Sequence, residues 1–473
     1  MAGGFASITG RIARSSSERR HSTMALSLVL LEAGSLFVGV FGTALLWSHP
    51  RLGASVDVPS ALGQSMAVVA CCLVAFYFSD LYDLRIVRSF AEFAPRLVES
   101  VGIAFFLVAT LHFLLPDTRL AERRFVSSLL LTSVLVVTLR AVSYRVMRSS
   151  PFAERVLILG TGGLTSQLLS EIESRQPCRY TVVGVADDVD STGCLPSRYP
   201  LRGPLRHFDK ILEEVRPDRV IVALAERRGR LPVGQLLDSR MRGIPVEHAV
   251  DAYERLTGKL AIEALTPSAL IFSPDFRESR VRLVLRQAVS LLVAVLGLIV
   301  LAPLFGLIAL AIRLDSRGPV LFVQDRVGLY GRRFRLLKFR TMRSASVHPS
   351  EWARDNSDRI TRVGKWLRKI RLDELPQFVN VLRGEMNLVG PRPHPTTNVE
   401  LFRDNIPYYW LRLRVRPGIT GWAQVRYGYA NDLQEETEKM RYDLFYIKHA
   451  SLWLDLRILF ATTKIVLFGR EDP

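Results

Sequence analysis

The amino-acid sequence predicts an integral membrane protein in three parts: an α-helical membrane region at 1–150, a parallel α/β domain at 151–276 and a small α/β domain at 277–473. Four long apolar segments precede residue 150, and 49% of all residues are hydrophobic. A buried-strand pattern that ends in glycines opens the second part, and a further apolar segment at 283–312 opens the third. A chain of 473 residues has room for two or three such domains.

The first four apolar segments lie near 24–47, 62–79, 95–115 and 125–139, each close to the roughly 20 residues that a helix needs to cross a bilayer. With a cytoplasmic start, the inner segments contain eleven arginines and the two outer loops contain four. Because cytoplasmic loops carry the excess of positive charge, we expect four transmembrane helices that return to the cytoplasm. Glu32 interrupts the first segment, and we expect it to pair with a neighbouring helix.

The net charge of +18 is compatible with nucleic acid, an anionic bilayer or phosphorylated substrates as partners. Nucleic acid is disfavoured, because no nucleic-acid-binding module is recognisable and arginines beside apolar segments are typical of a cytoplasmic membrane face. Four scattered cysteines do not form a disulfide framework.

Strand patterns at 155–160, 180–185 and 219–224 alternate with helical segments, which predicts a Rossmann-like parallel sheet. The turn after the first strand contains Gly160 and Gly162, weak candidates for binding a nucleotide. Asp187 and Asp188 follow the second strand, where an acidic residue can meet a ribose. However, Thr165 replaces the third glycine of the dinucleotide fingerprint, and no hydride-transfer residues follow. We favour a domain used for packing, with regulation by a bound nucleotide left open.

The apolar segment at 283–312 is long enough to cross a membrane, but its flanks argue against crossing. Arginines precede and follow it, which favours both ends on the cytoplasmic side. Pro303 lies in its interior, removes a backbone hydrogen bond and bends the helix. We therefore predict a re-entrant helix with its break at Pro303, and the alternative is a straight fifth span.

An acidic pair, Asp373 and Glu374, lies between basic clusters. An amphipathic basic helix precedes the pair, and a second helix is predicted to begin with Asp373 as its N-cap and to end at Gly384. A helix start attracts phosphate and favours an ionised carboxylate, which can attack phosphorus. The neighbouring carboxylate can then hold a divalent cation. The alternative is an ordinary solvated helix cap.

Basic residues around this pair are candidate phosphate ligands. Lys338 and Arg340 lie on one face of a predicted strand, where two cations can clasp a diphosphate. Arg392 lies between two prolines, and its guanidinium matches phosphate geometry, although arginine also pairs with carboxylates in cores. Trp422 is a candidate interfacial anchor, and 453–468 a candidate helix in the membrane surface.

Five ordered motifs carry a family resemblance: Lys-Phe-Arg-Thr-Met at 338–342, Asp-Arg-x-Thr-x-x-Gly at 358–364, Lys-x-Arg-Leu-Asp-Glu-Leu-Pro-Gln at 369–377, Val-Gly-Pro-Arg-Pro at 389–393 and Arg-Pro-Gly-Ile-Thr-Gly-Trp at 416–422. Together they resemble the bacterial sugar transferase family, the polyprenyl-phosphate hexose-1-phosphate transferases, over roughly the last 190 residues. The upstream layout resembles the large form of that family, with a four-helix membrane region and a Rossmann-like domain.

The resemblance implies transfer of a hexose 1-phosphate from a UDP-sugar to undecaprenyl phosphate, with release of UMP, at the cytoplasmic face of a bacterial inner membrane. Asp373 is then the nucleophile, Glu374 a Mg²⁺ ligand, and phosphate is bound by Lys338, Arg340, Arg371 and Arg392. Such a reaction begins exopolysaccharide, capsule or O-antigen synthesis. The alternatives are a non-catalytic scaffold and a nucleotide-sugar oxidoreductase or epimerase. The sequence leaves the sugar, the pathway and a homo-oligomeric state open.

Overall fold

A computed structural model describes residues 16–46, 58–79, 81, 90–114, 127, 131–142, 154–174, 180–188, 198–224, 230–265, 267–272, 279–343, 359–428 and 430–468. The chain divides into two compact units, Met1–Ala252 and Tyr253–Pro473. The first unit begins with the helices α1 (Ser16–Leu46), α2 (Val58–Phe78), α3 (Phe90–Leu114) and α4 (Leu131–Val142). A helix is thus present at each of the four predicted apolar segments.

Two of the described helices are long and apolar enough to cross a membrane, Val58–Tyr77 in the first unit and Arg280–Asp315 in the second. Val29–Thr43 and Leu131–Val142 are shorter apolar stretches. In the first unit, length and composition thus support a membrane-spanning helix at Val58–Tyr77. The other three membrane helices stay a prediction.

Glu32 of α1 is buried against Arg140 of α4. Arg140 Nη2 donates to Glu32 Oε2 at 3.1 Å, and Arg140 Nε donates to the other oxygen of the same carboxylate. Two parallel hydrogen bonds join the opposite charges, which favours their burial among apolar residues such as Leu36 and Val136. The expectation that Glu32 pairs with a neighbouring helix is confirmed.

A parallel sheet completes the first unit, as predicted. Its strands β1 (Glu154–Leu159), β2 (Tyr180–Ala186), β3 (Arg219–Val222) and β4 (Val246–His248) pair in the order β2-β1-β3-β4. The helices α5 (Gly163–Ser174), α6 (Phe208–Val215) and α7 (Val233–Met241) connect them. Leu157, Val220 and Phe208 lie in the buried core, because strands covered on both faces are apolar throughout.

The glycine turn after β1 is formed, but its acidic partner is occupied. Gly160 has φ of 109°, and a Cβ there would lie 2.9 Å from the backbone after β3, so glycine is required; at Gly162 a Cβ would meet nothing within 4 Å. Asp187 accepts hydrogen bonds from the backbone and hydroxyl of Thr161 at 2.8 and 2.7 Å and pairs with Arg230. The carboxylate considered for a ribose is thus bound by the chain itself, which favours the packing interpretation.

The second unit begins at Tyr253, inside α8 (Ala249–Thr257), and the boundary of the catalytic domain at 277 stays a prediction. Leu260 and Ile262 are fully buried in a core with Phe402 and Met440. Two buried apolar side chains contribute roughly 3–6 kcal/mol. The segment after 252 therefore contributes to the core of the second unit.

The helix α10 (Arg280–Asp315) follows α9 (Pro267–Phe272) and runs 36 residues with Pro303 in its interior. In its first half, Ala294 packs in a core cluster with Phe334. In its second half, Ile308 packs in another cluster with Phe339. Both halves of α10 therefore contact the same small domain, and the re-entrant geometry stays a prediction.

That small domain contains an antiparallel hairpin of β5 (Leu321–Val327) and β6 (Arg333–Phe339), and a parallel pair of β7 (Asn387–Val389) and β8 (Gly418–Thr420). Phe334 and Leu336, on one face of β6, are buried in the core. The helices are α11 (Arg362–Lys369), α12 (Phe378–Leu382), α13 (Thr396–Asn405), α14 (Trp422–Arg426), α15 (Leu433–His449) and α16 (Leu452–Phe468), with 3₁₀ segments at Leu372–Gln377 and Tyr409–Arg414.

Two tryptophans clarify which surfaces are open. Trp422 is buried and donates its indole N–H to the carbonyl of Gly258 at 2.9 Å, so the interfacial-anchor interpretation is wrong: the side chain fills the core. Trp453 of α16 is 53% exposed while Ile458 is fully buried, so this helix has one covered and one open face. Its position in a membrane surface stays a prediction.

Candidate active site

The acidic pair lies in a 3₁₀ turn directly after α11. Arg371 has φ of 56° and is the cap residue, and the turn Leu372–Gln377 then continues into α12. The prediction that Asp373 is the N-cap is wrong, because the left-handed residue Arg371 takes that position and Asp373 is the second residue of the turn. Gly384, with φ of 72°, follows the end of α12 as predicted.

Two cations hold Glu374 from opposite parts of the chain. Lys338 Nζ on β6 lies 3.1 Å from Glu374 Oε1, and Arg392 Nη2, beyond β7, lies 2.7 Å from the same oxygen. The Glu374 side chain is 8% exposed, while those of Lys338 and Arg392 are 16% and 20% exposed. An anionic ligand can therefore reach both cations from solvent while Glu374 lies behind them.

These contacts give the two carboxylates different protonation behaviour. Burial alone would raise the pKa of Glu374, but Arg392 and Lys338 outweigh it and hold the pKa well below its usual range. For Asp373, burial raises the pKa; Lys338 opposes this and Glu374 adds to it, so the net shift is upward. We predicted that the helix start would favour the ionised form of Asp373. Burial instead raises the pKa of Asp373, which favours the protonated form. Burial also lowers the pKa of Lys338 to about 8.

Asp373 is buried to 9% exposure, yet its carboxylate makes no hydrogen bond to any residue that the structure describes. Buried carboxylates are ordinarily hydrogen-bonded, because desolvation without a partner is costly. Asp373 and Glu374 are thus adjacent in the chain but unlike in chemistry. Glu374 is held by two cations, whereas the Asp373 carboxylate has no hydrogen-bond partner among the described residues.

Arg340 does not join Lys338 at this site. Its Nη2 donates to the carbonyl and hydroxyl oxygens of Ser316 at 2.7 and 2.9 Å, at the end of α10. A Cβ on Gly318 would lie 2.2 Å from Arg340 Nη1, so the glycine provides the space that Arg340 occupies. Lys338 and Arg392 are brought together as predicted, Arg371 is near enough to lower the pKa of Glu374, and Arg340 points elsewhere.

Arg368 belongs to the site although the sequence placed it only on the polar side of a basic helix. Its charge lowers the pKa of Asp373. Its Nη1 is buried without a hydrogen-bond partner in the described part of the chain. The left-handed residue Arg371 joins α11 to the turn that carries the acidic pair, and Arg368 lies close enough to Asp373 to affect its pKa, which helical periodicity alone does not show.

The acidic pair fits a Mg²⁺ ion that arrives with a phosphorylated substrate. No group of three or more His, Cys, Asp or Glu side chains suited to a metal occurs among the described residues. Mg²⁺ needs only one or two protein carboxylates when substrate phosphates and water complete its shell. Lys338 and Arg392 both bind Glu374 Oε1, and no described residue hydrogen-bonds Oε2.

Comparison with known proteins places this site in a family. The family model described as bacterial sugar transferase matches residues 281–469. Undecaprenyl-phosphate glucose phosphotransferase of Komagataeibacter xylinus is 38% identical over 67% of this chain and 60% of its own length. UDP-glucose:undecaprenyl-phosphate glucose-1-phosphate transferase of Caulobacter vibrioides is 46% identical over 38% of this chain and 69% of its own length. The chain belongs to the bacterial sugar transferase family.

A third relative differs in the sugar that it names. UDP-N-acetylgalactosamine-undecaprenyl-phosphate N-acetylgalactosaminephosphotransferase of Aeromonas hydrophila is 44% identical over 48% of this chain and 53% of its own length. The chain thus spans a little more than half the length of this relative and of the Komagataeibacter protein. The bacterial sugar transferase match contains the acidic pair and both cations that bind Glu374. A second family model, described as a CoA-binding domain, matches 77–232.

Proposed function

We propose that this bacterial sugar transferase moves a hexose 1-phosphate from a UDP-sugar to undecaprenyl phosphate at the inner face of the cytoplasmic membrane. The observation that carries the proposal is the unlike carboxylate pair: Glu374 fixed by Lys338 and Arg392, and Asp373 buried beside it without a described hydrogen-bond partner. Attack on phosphorus needs cations that hold the phosphate and an uncommitted nucleophile within reach.

In the first step, an oxygen of Asp373 attacks the β-phosphorus of the UDP-sugar. A new O–P bond forms, the bond from that phosphorus to the bridging oxygen breaks, and UMP leaves with the bridging oxygen and its electron pair. The sugar phosphate is then attached to Asp373 as an acyl phosphate. Burial raises the pKa of Asp373, and a more basic carboxylate is a stronger nucleophile once ionised.

In the second step, an oxygen of undecaprenyl phosphate attacks the same phosphorus, and Asp373 leaves as a carboxylate. The product is undecaprenyl diphosphate carrying the sugar, and the protein returns to its starting state. Lys338 and Arg392 orient the phosphate oxygens in both steps, and Arg368 brings a further positive charge beside Asp373. One phosphate site can thus serve a soluble donor and a membrane-bound acceptor in turn.

Glu374 is the proposed Mg²⁺ ligand, through the oxygen that the described cations leave uncovered. When bound, the ion neutralises charge on the diphosphate of the donor. Glu374 is suited to this because its pKa is held low, so it carries a negative charge at every working pH.

We further propose that α10 is re-entrant. A straight helix of 36 residues would extend about 54 Å, well beyond the roughly 30 Å of hydrocarbon in a bilayer. Yet Arg286 near its start pairs with Asp455, and Asp315 at its end accepts from the backbone of Val363, all in one domain. These two contacts support the proposal that both ends lie on one side of the membrane, with a bend at Pro303.

The sugar is not assigned, because the relatives name both glucose and N-acetylgalactosamine. The proposed test is a screen for UMP release over a panel of UDP-sugars, with undecaprenyl phosphate supplied in detergent. We expect UMP from at least one donor without a change in nicotinamide absorbance. A folded protein that releases no UMP from any donor would overturn the proposal and favour a scaffold, while nicotinamide turnover would favour an oxidoreductase.

A further inference from the structure

The loop Val389–His394, which carries Arg392 between β7 and α13, is held by its own carbonyl groups. Five of its carbonyl oxygens accept hydrogen bonds from outside the loop, from Tyr446, Gly418, Arg412, Arg326 and Val327. Loops ordinarily leave such carbonyls to solvent. This loop is instead a fixed support, and its one solvent-facing cation points at Glu374.

The bond to the carbonyl of Arg392 itself comes from Arg412, on the 3₁₀ segment Tyr409–Arg414. Arg412 Nη2 donates to that carbonyl, and Arg412 Nε donates to Asp443 Oδ2 of α15 at 2.8 Å. The side chains of Arg412 and Asp443 are only 4% and 2% exposed. A planar guanidinium with one edge fixed by a carboxylate presents its remaining N–H groups in a fixed direction. We call Arg412 and Asp443 the clamp.

A second group of buried polar residues lies beside the clamp. His394 Nε2 lies 3.0 Å from Glu436 Oε1, and its Nδ1 lies 2.7 Å from the hydroxyl of Tyr409. Glu436 Oε2 accepts from Lys439 at 3.1 Å. Burial, reinforced by Arg412, lowers the pKa of His394 to about 3, so this ring is neutral at physiological pH. Two cations then balance two carboxylates, and the network adds no net charge behind the site.

We propose that Arg412, held by Asp443, is a positioning residue for the phosphate-binding Arg392, acting through the Arg392 carbonyl and not through substrate. The proposal rests on the proposed function for the role of Arg392. The clamp lies behind the loop, and its donors are used on Asp443, Arg392 and the His394 ring. Its contribution to the reaction is the placement of the Arg392 guanidinium beside Glu374, where an error of about 1 Å costs roughly 100-fold in rate.

The test is a double-mutant cycle on UMP release. Arg412→Lys keeps the charge but loses the fork that spans Asp443 and the Arg392 carbonyl, and we expect kcat to fall about 10- to 100-fold. In an Arg392→Ala background there is no guanidinium to place, so Arg412→Lys should have almost no further effect. Equal fold losses in both backgrounds would overturn the proposal, because Arg412 would then act independently of Arg392.

Lys439→Met is the matched control, since Lys439 is buried beside the clamp but its hydrogen bond goes to Glu436 and not to Arg412, Asp443 or the loop 389–394. We expect it to lower the thermal midpoint while kcat stays near that of the wild type. A loss of kcat equal to that of Arg412→Lys would show general destabilisation and refute the clamp. Asp443→Asn, which weakens the charge that fixes Arg412, should resemble Arg412→Lys.

Amide hydrogen exchange tests the clamp without any turnover. In the full chain in detergent, the peptide that contains 389–394 should exchange faster in Arg412→Lys than in the wild type. In Lys439→Met, the exchange rate of that peptide should equal the wild-type rate. Unchanged exchange in Arg412→Lys would refute the clamp even if activity fell. If the wild type releases no UMP, the proposed function fails, and faster exchange in Arg412→Lys still supports the clamp.

Discussion

Replacing Arg392 with lysine should cost more than conservation of charge suggests. Arg392 Nη2 lies 2.7 Å from Glu374 Oε1 in a side chain that is 20% exposed, so the bond is short and partly screened from water. Hydrogen bonds to charged groups contribute about 1.5–3 kcal/mol. Lysine keeps the charge but replaces a planar fork by a point charge. We therefore expect kcat/KM for the UDP-sugar to fall about 10- to 100-fold.

The assay is the initial rate of UMP release over a range of donor concentrations, with thermal unfolding measured in parallel. Arg403→Lys is the matched control, because Arg403 lies on α13 with a side chain that is 64% exposed and touches no site residue. Kinetics of Arg392→Lys equal to those of Arg403→Lys would show that Arg392 is structural. A loss of stability that accounts for the loss of rate would refute the argument equally.

Three further outcomes follow from the same structure. Asp373→Asn should release no UMP, and intact-protein mass after incubation with UDP-sugar and no lipid acceptor should show no hexose-phosphate adduct. Glu374→Gln should regain some activity as the Mg²⁺ concentration is raised. A wild-type adduct that maps to a residue other than Asp373 contradicts the mechanism. Cysteines placed at Ser279 and Ser316 should be labelled from the same side of the membrane, and labelling from opposite sides contradicts a re-entrant α10. The pKa of His394 is about 3 in the folded chain, against an ordinary value of 6.5. Between these values the unfolded chain binds a proton that the folded chain does not. The free energy of unfolding is therefore highest above pH 6.5 and falls as the pH is lowered. The second unit should lose about 2 kcal/mol between pH 6.5 and about 5, and His394→Gln should remove that loss.

Several features of the fold and site could be read from the sequence because they depend on local periodicity or on one residue's chemistry. The parallel sheet follows from apolar strands that alternate with helices, and Gly384 follows α12 because glycine accepts its positive φ. The pairing of Glu32 follows from the cost of an unpaired charge among apolar residues. Lys338 and Arg392 were predicted as site residues, and the structure brings both to Glu374.

The remaining features depend on which distant segments meet, and no local pattern contains that information. The left-handed Arg371 takes the cap position in place of Asp373, and Arg368 lies close enough to Asp373 to lower its pKa. Arg340 directly follows β6 rather than lying on it with Lys338, and the space at Gly318 lets it reach Ser316.

Burial decides the protonation of Asp373, and the sequence predicted the opposite direction because it shows charge but not desolvation. The clamp of Arg412 and Asp443 joins residues 31 positions apart, and its contact with the Arg392 carbonyl exists only in the folded core. Sequence therefore determined which groups carry the chemistry. Tertiary packing decided which of them are desolvated, which are fixed and which are left uncommitted, because those properties depend on neighbours that only folding supplies.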